Sequence, residues 1–351
     1  MKDTENSPTD THQDAENTEY LTKSRAKTDP KHGCPPDKRD IETHIKNGLI
    51  ILDKPKGPTS HQVAAWVRDI FKPQLEKPGT SEASERIFSL KKAGHSGTLD
   101  PGVTGVLPTL LENATKIIPA LVRGKKEYIC LMQLHTDIPQ KQITETARSF
   151  VGKIQQMPPV KSAVKRQLRT REIYTLDILE IDKRNVLFKS EVEAGTYIRT
   201  LCTDFGKKLK TQAHMQELRR TMAGSLPEEQ SHTLQDIKDA YEFYKEEKNE
   251  KFLRDIIKPL ETGVMHLQKI IIKDSAISAI CHGAPLRICG IAKYTKDIKT
   301  NDIIAIMSLK GELVALAEST MNTTEIQDKD KGIAAKITRV IMPENTYPRT
   351  W

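Results

Sequence analysis

The chain has no long apolar run. Its longest purely apolar stretches, such as Leu49-Ile50-Ile51-Leu52, are a few residues long, against the roughly 20 that a membrane-spanning helix needs. A transmembrane protein is excluded on this reading. Met1 to Asp10 also lack a basic segment followed by an apolar one, so no secretory signal is expected and the cytosol is the expected compartment. The five cysteines, Cys34, Cys130, Cys202, Cys281 and Cys289, contain no Cys-x-x-Cys pair. This argues against a zinc ribbon or a disulfide framework and for reduced thiols acting as small buried hydrophobes.

Familiar cofactor fingerprints are missing as well. No two glycines stand two apart, which excludes the Gly-x-Gly-x-x-Gly of dinucleotide folds and kinases. Gly97 and Gly102 have the offset of a Walker A loop, but Val103 stands where lysine is required. With His-x-Glu absent too, a zinc nucleobase deaminase is not supported.

What the chain has in excess is positive charge. Its 351 residues carry 55 Lys+Arg against 47 Asp+Glu, a formal net of +8. Residues 1–40 hold seven basic and nine acidic groups and no Val, Ile, Phe or Trp, a composition expected to give a disordered polar tail. The remaining 311 residues are therefore at +10. Val151 to Arg171 carries Lys153, Lys161, Lys165, Arg166, Arg169 and Arg171 without one acid, and Lys207, Lys208, Lys210, Arg219 and Arg220 form a second cluster. One such block alone reads as a solvated face; two of them flanking a motif suit a polyanion that releases counterions on binding.

The pattern is mixed α and β. Gly48–Leu52 reads as a buried strand, and Ser60–Phe71 as a helix with Ser60 as N-cap. Lys72–Ser89 reads as a loop. Strands are expected at Glu127–His135, Ile173–Ile181 and Val186–Glu193, helices at Tyr197–Leu209 and Gln212–Arg220. Thr233-Leu234-Gln235-Asp236 has the form of a capping box ahead of an acidic connector helix. Beyond it come short Ile/Val/Ala-rich strands, with Ile303–Ser308 and Glu312–Ala317 as a hairpin. The divisions are a tail at 1–40, a first domain with connector at 41–262 and a small β domain at 265–351.

The densest local signal is Gly94-His95-Ser96-Gly97-Thr98-Leu99-Asp100-Pro101-Gly102-Val103-Thr104-Gly105. Four glycines permit positive φ and close backbone approach, and Asp-Pro starts turns. On physics alone the stretch reads first as a structural turn.

His95-Ser96-Gly97-Thr98-Leu99-Asp100-Pro101, however, resembles the catalytic motif of the pseudouridine synthases that modify the uridine of the tRNA TΨC loop, and of their relatives in H/ACA ribonucleoproteins. Further motifs match in order. Asp53-Lys54-Pro55 with Gly57 and Thr59-Ser60 is similar to the family's first motif, and Lys126-Glu127-Tyr128 to its Lys-x-Tyr motif. Pro158-Pro159 with Ser162-Ala163-Val164-Lys165 and Glu193 to Arg199 match two more. Met215 to Arg220 and Thr346-Tyr347-Pro348-Arg349 resemble the H/ACA branch, and the small carboxy-terminal domain resembles the PUA RNA-binding fold. The resemblance covers about residues 45–351 and favours the archaeal form, since the tail is not Lys-rich and the chain ends at Trp351 without a basic extension.

The resemblance implies an α+β fold: a pseudouridine synthase catalytic domain with a largely antiparallel mixed sheet, followed by a β-rich PUA pseudobarrel. It implies Asp100 as the catalytic carboxylate, Tyr128 stacked on the flipped base and taking part in deprotonating C5, and Arg199 paired with Asp100. Tyr197 would line the pocket, and His95 would help flip the base. Lys54 is a further candidate contact or a support of the cleft, and Val151–Arg171 is expected to form a mobile basic loop beside the cleft, whose Lys161, Lys165 and Arg166 would bind RNA. Isomerising uridine breaks N1–C1′ and forms C5–C1′, so neither cofactor nor metal is expected. A carboxylate beside a guanidinium stays ionised at neutral pH, and stacking of roughly 1–3 kcal/mol per base offsets part of the extrusion cost. The implied partners are tRNA, H/ACA guide RNA with rRNA, and the small H/ACA proteins, with a monomer outside the particle. The competing reading is a non-catalytic RNA-binding scaffold of such a particle; a ribosome-biogenesis factor using the PUA-like fold would need no Asp–Tyr–Arg set.

Overall fold

The computed structural model describes residues 19–72, 89–159 and 167–349. In chain order its strands are β1 (Tyr20–Thr22), β2 (Gly48–Lys54), β3 (Ala93–His95), β4 (Thr104–Leu111), β5 (Lys126–Leu134), β6 (Gly152–Gln156), β7 (Arg169–Asp182), β8 (Asn185–Val192), β9 (Ala213–Ala223), β10 (Leu226–Pro227), β11 (Ile257–Pro259), β12 (Lys269–Ile272), β13 (Leu286–Arg287), β14 (Ile291–Thr295), β15 (Ile303–Met307), β16 (Leu313–Ser319) and β17 (Ile333–Val340). They form two sheets. The larger runs β11-β2-β4-β9-β5-β8-β7-β6, with β3 beside β4 and β10 beside β9. Its pairings are antiparallel except for a short parallel contact of β4 with β9. The smaller runs β1-β14-β12-β15-β16-β17-β13. The architecture is α+β, with a larger, mostly antiparallel sheet and a carboxy-terminal β-rich unit.

The apolar run at the start of β2 is explained by its place between β11 and β4, where Leu49, Ile50, Ile51 and Leu52 are all fully buried. On one face of the sheet, Val63 and Val67 of the Ser60–Ile70 helix pack with Ile237, Tyr241 and Leu253 from the Leu234–Glu247 and Lys251–Ile256 helices. The capping box at Thr233 is present, with Asp236 as its partner. Elsewhere Ile143 and Ala147 from the Gln140–Arg148 helix and Leu201, Cys202 and Phe205 from the Ile198–Lys208 helix pack with Cys130 and Phe188. A third cluster joins Leu49, Ile51 and Val106 of the large sheet to Ala305, Leu313 and Leu316 of the small one, so the two sheets share a core.

Four expectations are corrected. Residues 19–40 are not a disordered tail. β1 extends the small sheet at β14, Ser24 Oγ donates to the Ile291 carbonyl at 2.7 Å, and Asp274 accepts from Thr28 Oγ1 and the Asp29 amide. The segment needs few apolar residues because it borrows a sheet edge and polar partners already held by the small domain. Residues 213–223 form strand β9, not a helix. Met215 and Leu218 have helical spacing, but pairing with β4 and β5 decides the outcome. The basic stretch from Val151 to Arg171 is not a loop at its ends, because Gly152–Gln156 pairs with Arg169–Ile173 in antiparallel register; Lys161, Lys165 and Arg166 lie outside the described residues. Finally, Thr59 rather than Ser60 caps the first long helix, exchanging bonds with Gln62 in a capping box. The expected loop at 72–89 likewise lies almost wholly outside the described residues.

Among the described residues no helix is long and apolar enough to cross a membrane. The five cysteines are free thiols, with Cys130, Cys202 and Cys281 buried, Cys34 partly buried and Cys289 exposed.

Candidate active site

The glycine-rich loop connects β3 to β4 and is anchored at several points. The Ser60 hydroxyl both donates to the Leu99 carbonyl and accepts from the Leu99 amide, each at 2.9 Å. This is why Ser60, displaced from the capping role, is fully buried. The Val103 amide closes a turn on the Asp100 carbonyl at 3.0 Å, and the Gly57 amide donates to the Pro101 carbonyl at 2.8 Å. Lys54 completes the frame: its fully buried ammonium donates to the carbonyls of Pro55 (2.8 Å), Val103 (2.9 Å) and Pro101 (3.3 Å). Burial lowers its pKa from the usual lysine value. Lys54 therefore holds the loop and presents no charge to RNA, so of the two roles read for it the contact with RNA is not supported.

On this frame Asp100 projects outward, its side chain about half exposed, and pairs with Arg199 through Oδ2 and Nη2. Arg199 lies in the first turn of the Ile198–Lys208 helix. The entry to that helix is fixed by buried Gln156, which accepts from the Tyr197 amide (3.0 Å) and donates to the Tyr197 carbonyl (3.2 Å). Two residues 99 apart in sequence thus meet at the surface from two well-anchored elements.

Tyr128 is half-buried on β5, opposite Arg220 of β9 and Ser190 of β8. Its hydroxyl interacts electrostatically with the Arg220 guanidinium. The Arg220 guanidinium also donates from Nε to the Val106 carbonyl (2.7 Å) and from Nη2 to the Gly97 carbonyl (2.8 Å). Gly105, with φ +97°, pairs with Arg220 where β4 meets β9, and a Cβ there would lie 2.2 Å from the Arg220 carbonyl oxygen. Only glycine fits that position.

His95, on β3, meets the His61 ring edge-on with centroids 4.7 Å apart. Desolvation, aided by His61 and Arg220, pushes its pKa down to about 4. At neutral pH it is an uncharged ring, not a cation for phosphate. Between pH 6.5 and 4 the unfolded chain takes a proton that the native site refuses, so this group's contribution to stability is present above pH 6.5 and is lost as pH falls toward 4. It amounts to about 3 kcal/mol at most. We expect His95→Gln to flatten the pH dependence of the unfolding free energy in that window; an unchanged slope in pH-stepped denaturant titrations would refute the assignment.

The sequence reading missed Arg220, Gln156 and Ser60 as parts of the site. Arg219 and Arg220 look alike in sequence, but Arg219 faces Asp53 (3.0 Å) and Glu228 in an ion-pair network while Arg220 turns inward and is 1% exposed. Neither belongs to an exposed basic cluster; the alternation of a strand was the signal. Beside Arg199 a groove of about 420 Å³ runs between Gln155, Met157 and Leu168 on one wall and Thr203 and Lys207 on the other.

Comparison with known proteins places this geometry. Family models match in order along the chain: a DKCLD domain at residues 13–64, the TruB family pseudouridylate synthase amino-terminal domain at 85–198, the tRNA pseudouridylate synthase B carboxy-terminal domain at 199–265 and a PUA domain at 268–341. The "Probable tRNA pseudouridine synthase B" of Archaeoglobus fulgidus is 49% identical over 95% of this chain and 97% of its own. The chain belongs to the TruB family of pseudouridine synthases. The Pyrococcus abyssi relative of the same name is 50% identical over 93% of each chain. A solved chain from a Cbf5-Nop10-Gar1 complex superposes with a TM-score of 0.87 at 48% identity, covering 95% of this synthase and 97% of that chain. Another, from an H/ACA RNP bound to a substrate RNA containing 2′-deoxyuridine, gives 0.85 at 46% identity over 95% and 98%. This synthase is thus an archaeal-type member, and the match to the TruB amino-terminal domain spans Asp100, Tyr128 and the start of the helix that carries Arg199.

Proposed function

We propose that the enzyme converts uridine to pseudouridine with Asp100 as the attacking carboxylate, acting on uridine 55 of the tRNA TΨC loop, on rRNA uridines selected by H/ACA guide RNA, or on both. The observation that carries this reading is the Asp100–Arg199 pair, held at the surface by a loop and a helix that are each fixed by buried polar contacts. Arg199 orients the carboxylate, and holding a nucleophile in place is itself a large part of catalysis. Tyr128 offers its ring to the extruded base and Tyr197 stands at the head of the Arg199 helix. The N1–C1′ bond breaks and C5–C1′ forms; C5 loses one proton and N1 gains one, so substrate and product are isomers.

The partners we propose are the guide RNA and small proteins of an H/ACA particle, because solved relatives are seen with Nop10, Gar1 and substrate RNA. Outside the particle we take the enzyme to be a monomer of the cytosol, in keeping with its free cysteines. Pseudouridine mapping on bulk tRNA and on a guided rRNA fragment, with and without guide RNA and partner proteins, tests the substrate assignment; no pseudouridine under any combination would reject it.

Lys161, Lys165 and Arg166 carry a separate prediction. Replacing all three with Ala should weaken RNA binding and make the slope of log K against log salt shallower by up to about 2–3, at roughly 0.7–0.9 per phosphate contact. An unchanged slope in filter binding would show these charges to be merely solvated.

A further inference from the structure

We propose that Arg220 is a positioning residue of this synthase, tying the two flanks of the Asp100 loop together beside the hydroxyl of Tyr128. The proposal rests on the reading of Asp100 and Tyr128 as catalytic.

Arg220 heads the largest fully buried side chains of the protein. A buried guanidinium is normally matched by a carboxylate, because an unpaired charge in a low-dielectric interior is costly. Its neighbour Arg219 obeys that rule with Asp53 and Glu228. Arg220 does not: among the described residues its guanidinium donates to the carbonyls of Gly97 and Val106 and interacts electrostatically with the hydroxyl of Tyr128. The resulting desolvation lowers its pKa from the ordinary arginine value. A cation maintained there without a counter-ion is a poor device for stability alone, since an apolar residue of similar volume serves that purpose as well.

The two hydrogen bonds have a common geometry. Gly97 precedes Asp100 in the loop, and Val106 follows it at the start of β4. The planar fork therefore ties the entering and leaving strands of the loop together. Guanidinium nitrogens only donate, so toward Arg220 the Tyr128 oxygen can serve only as an acceptor. One side chain thereby joins the backbone that carries Asp100 to the strand position opposite Tyr128. Any charge that develops on the Tyr128 oxygen meets a cation already in place, the arrangement that lowers reorganisation in a water-poor site. The same cation bears on its surroundings: it contributes to holding His95 neutral and to lowering Lys126 to about 8, behind desolvation in each case.

The test uses the full-length chain and tritium release from C5-labelled RNA, in whichever condition, tRNA or guided rRNA, the wild type turns over. Arg220→Lys keeps the charge but loses the fork; it should lower kcat about 100-fold, the scale of a misplacement of about 1 Å, with KM and RNA affinity within about threefold. Arg220→Gln should do at least as much, and should it fail to fold, Arg220→Lys carries the test. The decisive comparison is Tyr128→Phe with and without Arg220→Lys. Acting through the Tyr128 hydroxyl, the second substitution should add less than about threefold to the first. Fully additive losses, a wild-type kcat in Arg220→Lys, or a change confined to KM would overturn the proposal. If Asp100→Asn and Tyr128→Phe are themselves as active as wild type, the underlying assignment of the site fails instead, and the two failures are told apart.

Discussion

Asp100→Asn is expected to slow pseudouridine formation by at least about 10³-fold, within the range seen when an enzyme loses its nucleophile, while leaving the protein folded and able to bind RNA. Asparagine has almost the same shape but no negative charge, so it neither attacks nor pairs with Arg199 as an ion. The structure indicates why stability should hardly change. The side chains of Asp100 and Arg199 are 56% and 46% exposed, and exposed ion pairs contribute about 0–1 kcal/mol. The loop does not depend on the carboxylate either, since Ser60, Lys54 and Gly57 hold it through backbone groups. Single-turnover tritium release alongside thermal unfolding and RNA binding checks both halves. A variant as active as wild type would remove Asp100 from the chemistry; an inactive variant that is also strongly destabilised would show that these three anchors do not carry the loop.

The parts of this architecture that were legible in the sequence are those specified by local pattern. The apolar run at Leu49–Leu52, the Thr233 capping box and the alternating segments of β5 and β8 each contain their own signal. The Asp100 loop was visible because glycine and proline spacing is a backbone requirement, and its pairing with Arg199 followed only from resemblance to a family. What was not legible depends on distant partners. Residues 213–223 are built from good helix formers and become a strand because β4 and β5 offer two edges. Residues 19–40 have too little apolar surface to fold alone and are ordered by the small sheet, by Asp274 and by Glu312, whose carboxylate accepts from the Cys34 amide. Lys54, Lys126 and Arg220 count as positive charge in any composition, yet all three point inward to carbonyl groups. Part of the chain's basic excess is therefore frame, not RNA-binding surface, a distinction that charge counting cannot draw.

Gly105 gives the severest structural test of that frame. Gly105→Ala should destabilise the protein by about 3 kcal/mol or more, as the sum of a strained backbone angle and overpacking, and should depress turnover in the fraction that remains folded. The alanine methyl would sit 2.2 Å from the Arg220 carbonyl and 2.9 Å from its amide nitrogen. These are backbone atoms of β9 and cannot rotate away. The parallel contact of β4 with β9 consists of Thr104 opposite Arg219 and Gly105 opposite Arg220, so relief comes only by prising that contact open. Doing so moves Arg220 away from Val106 and Tyr128. Gly57 supplies the control: its φ of +117° is also unfavourable for alanine, but a methyl group added there would meet no described atom within 4 Å, so Gly57→Ala should cost only about 1–2 kcal/mol of backbone strain. Denaturant unfolding of the two variants separates the effects. Equal losses would mean that the left-handed backbone alone demands glycine at both positions, and that the close approach of β4 to Arg220 is not what holds the catalytic loop in register.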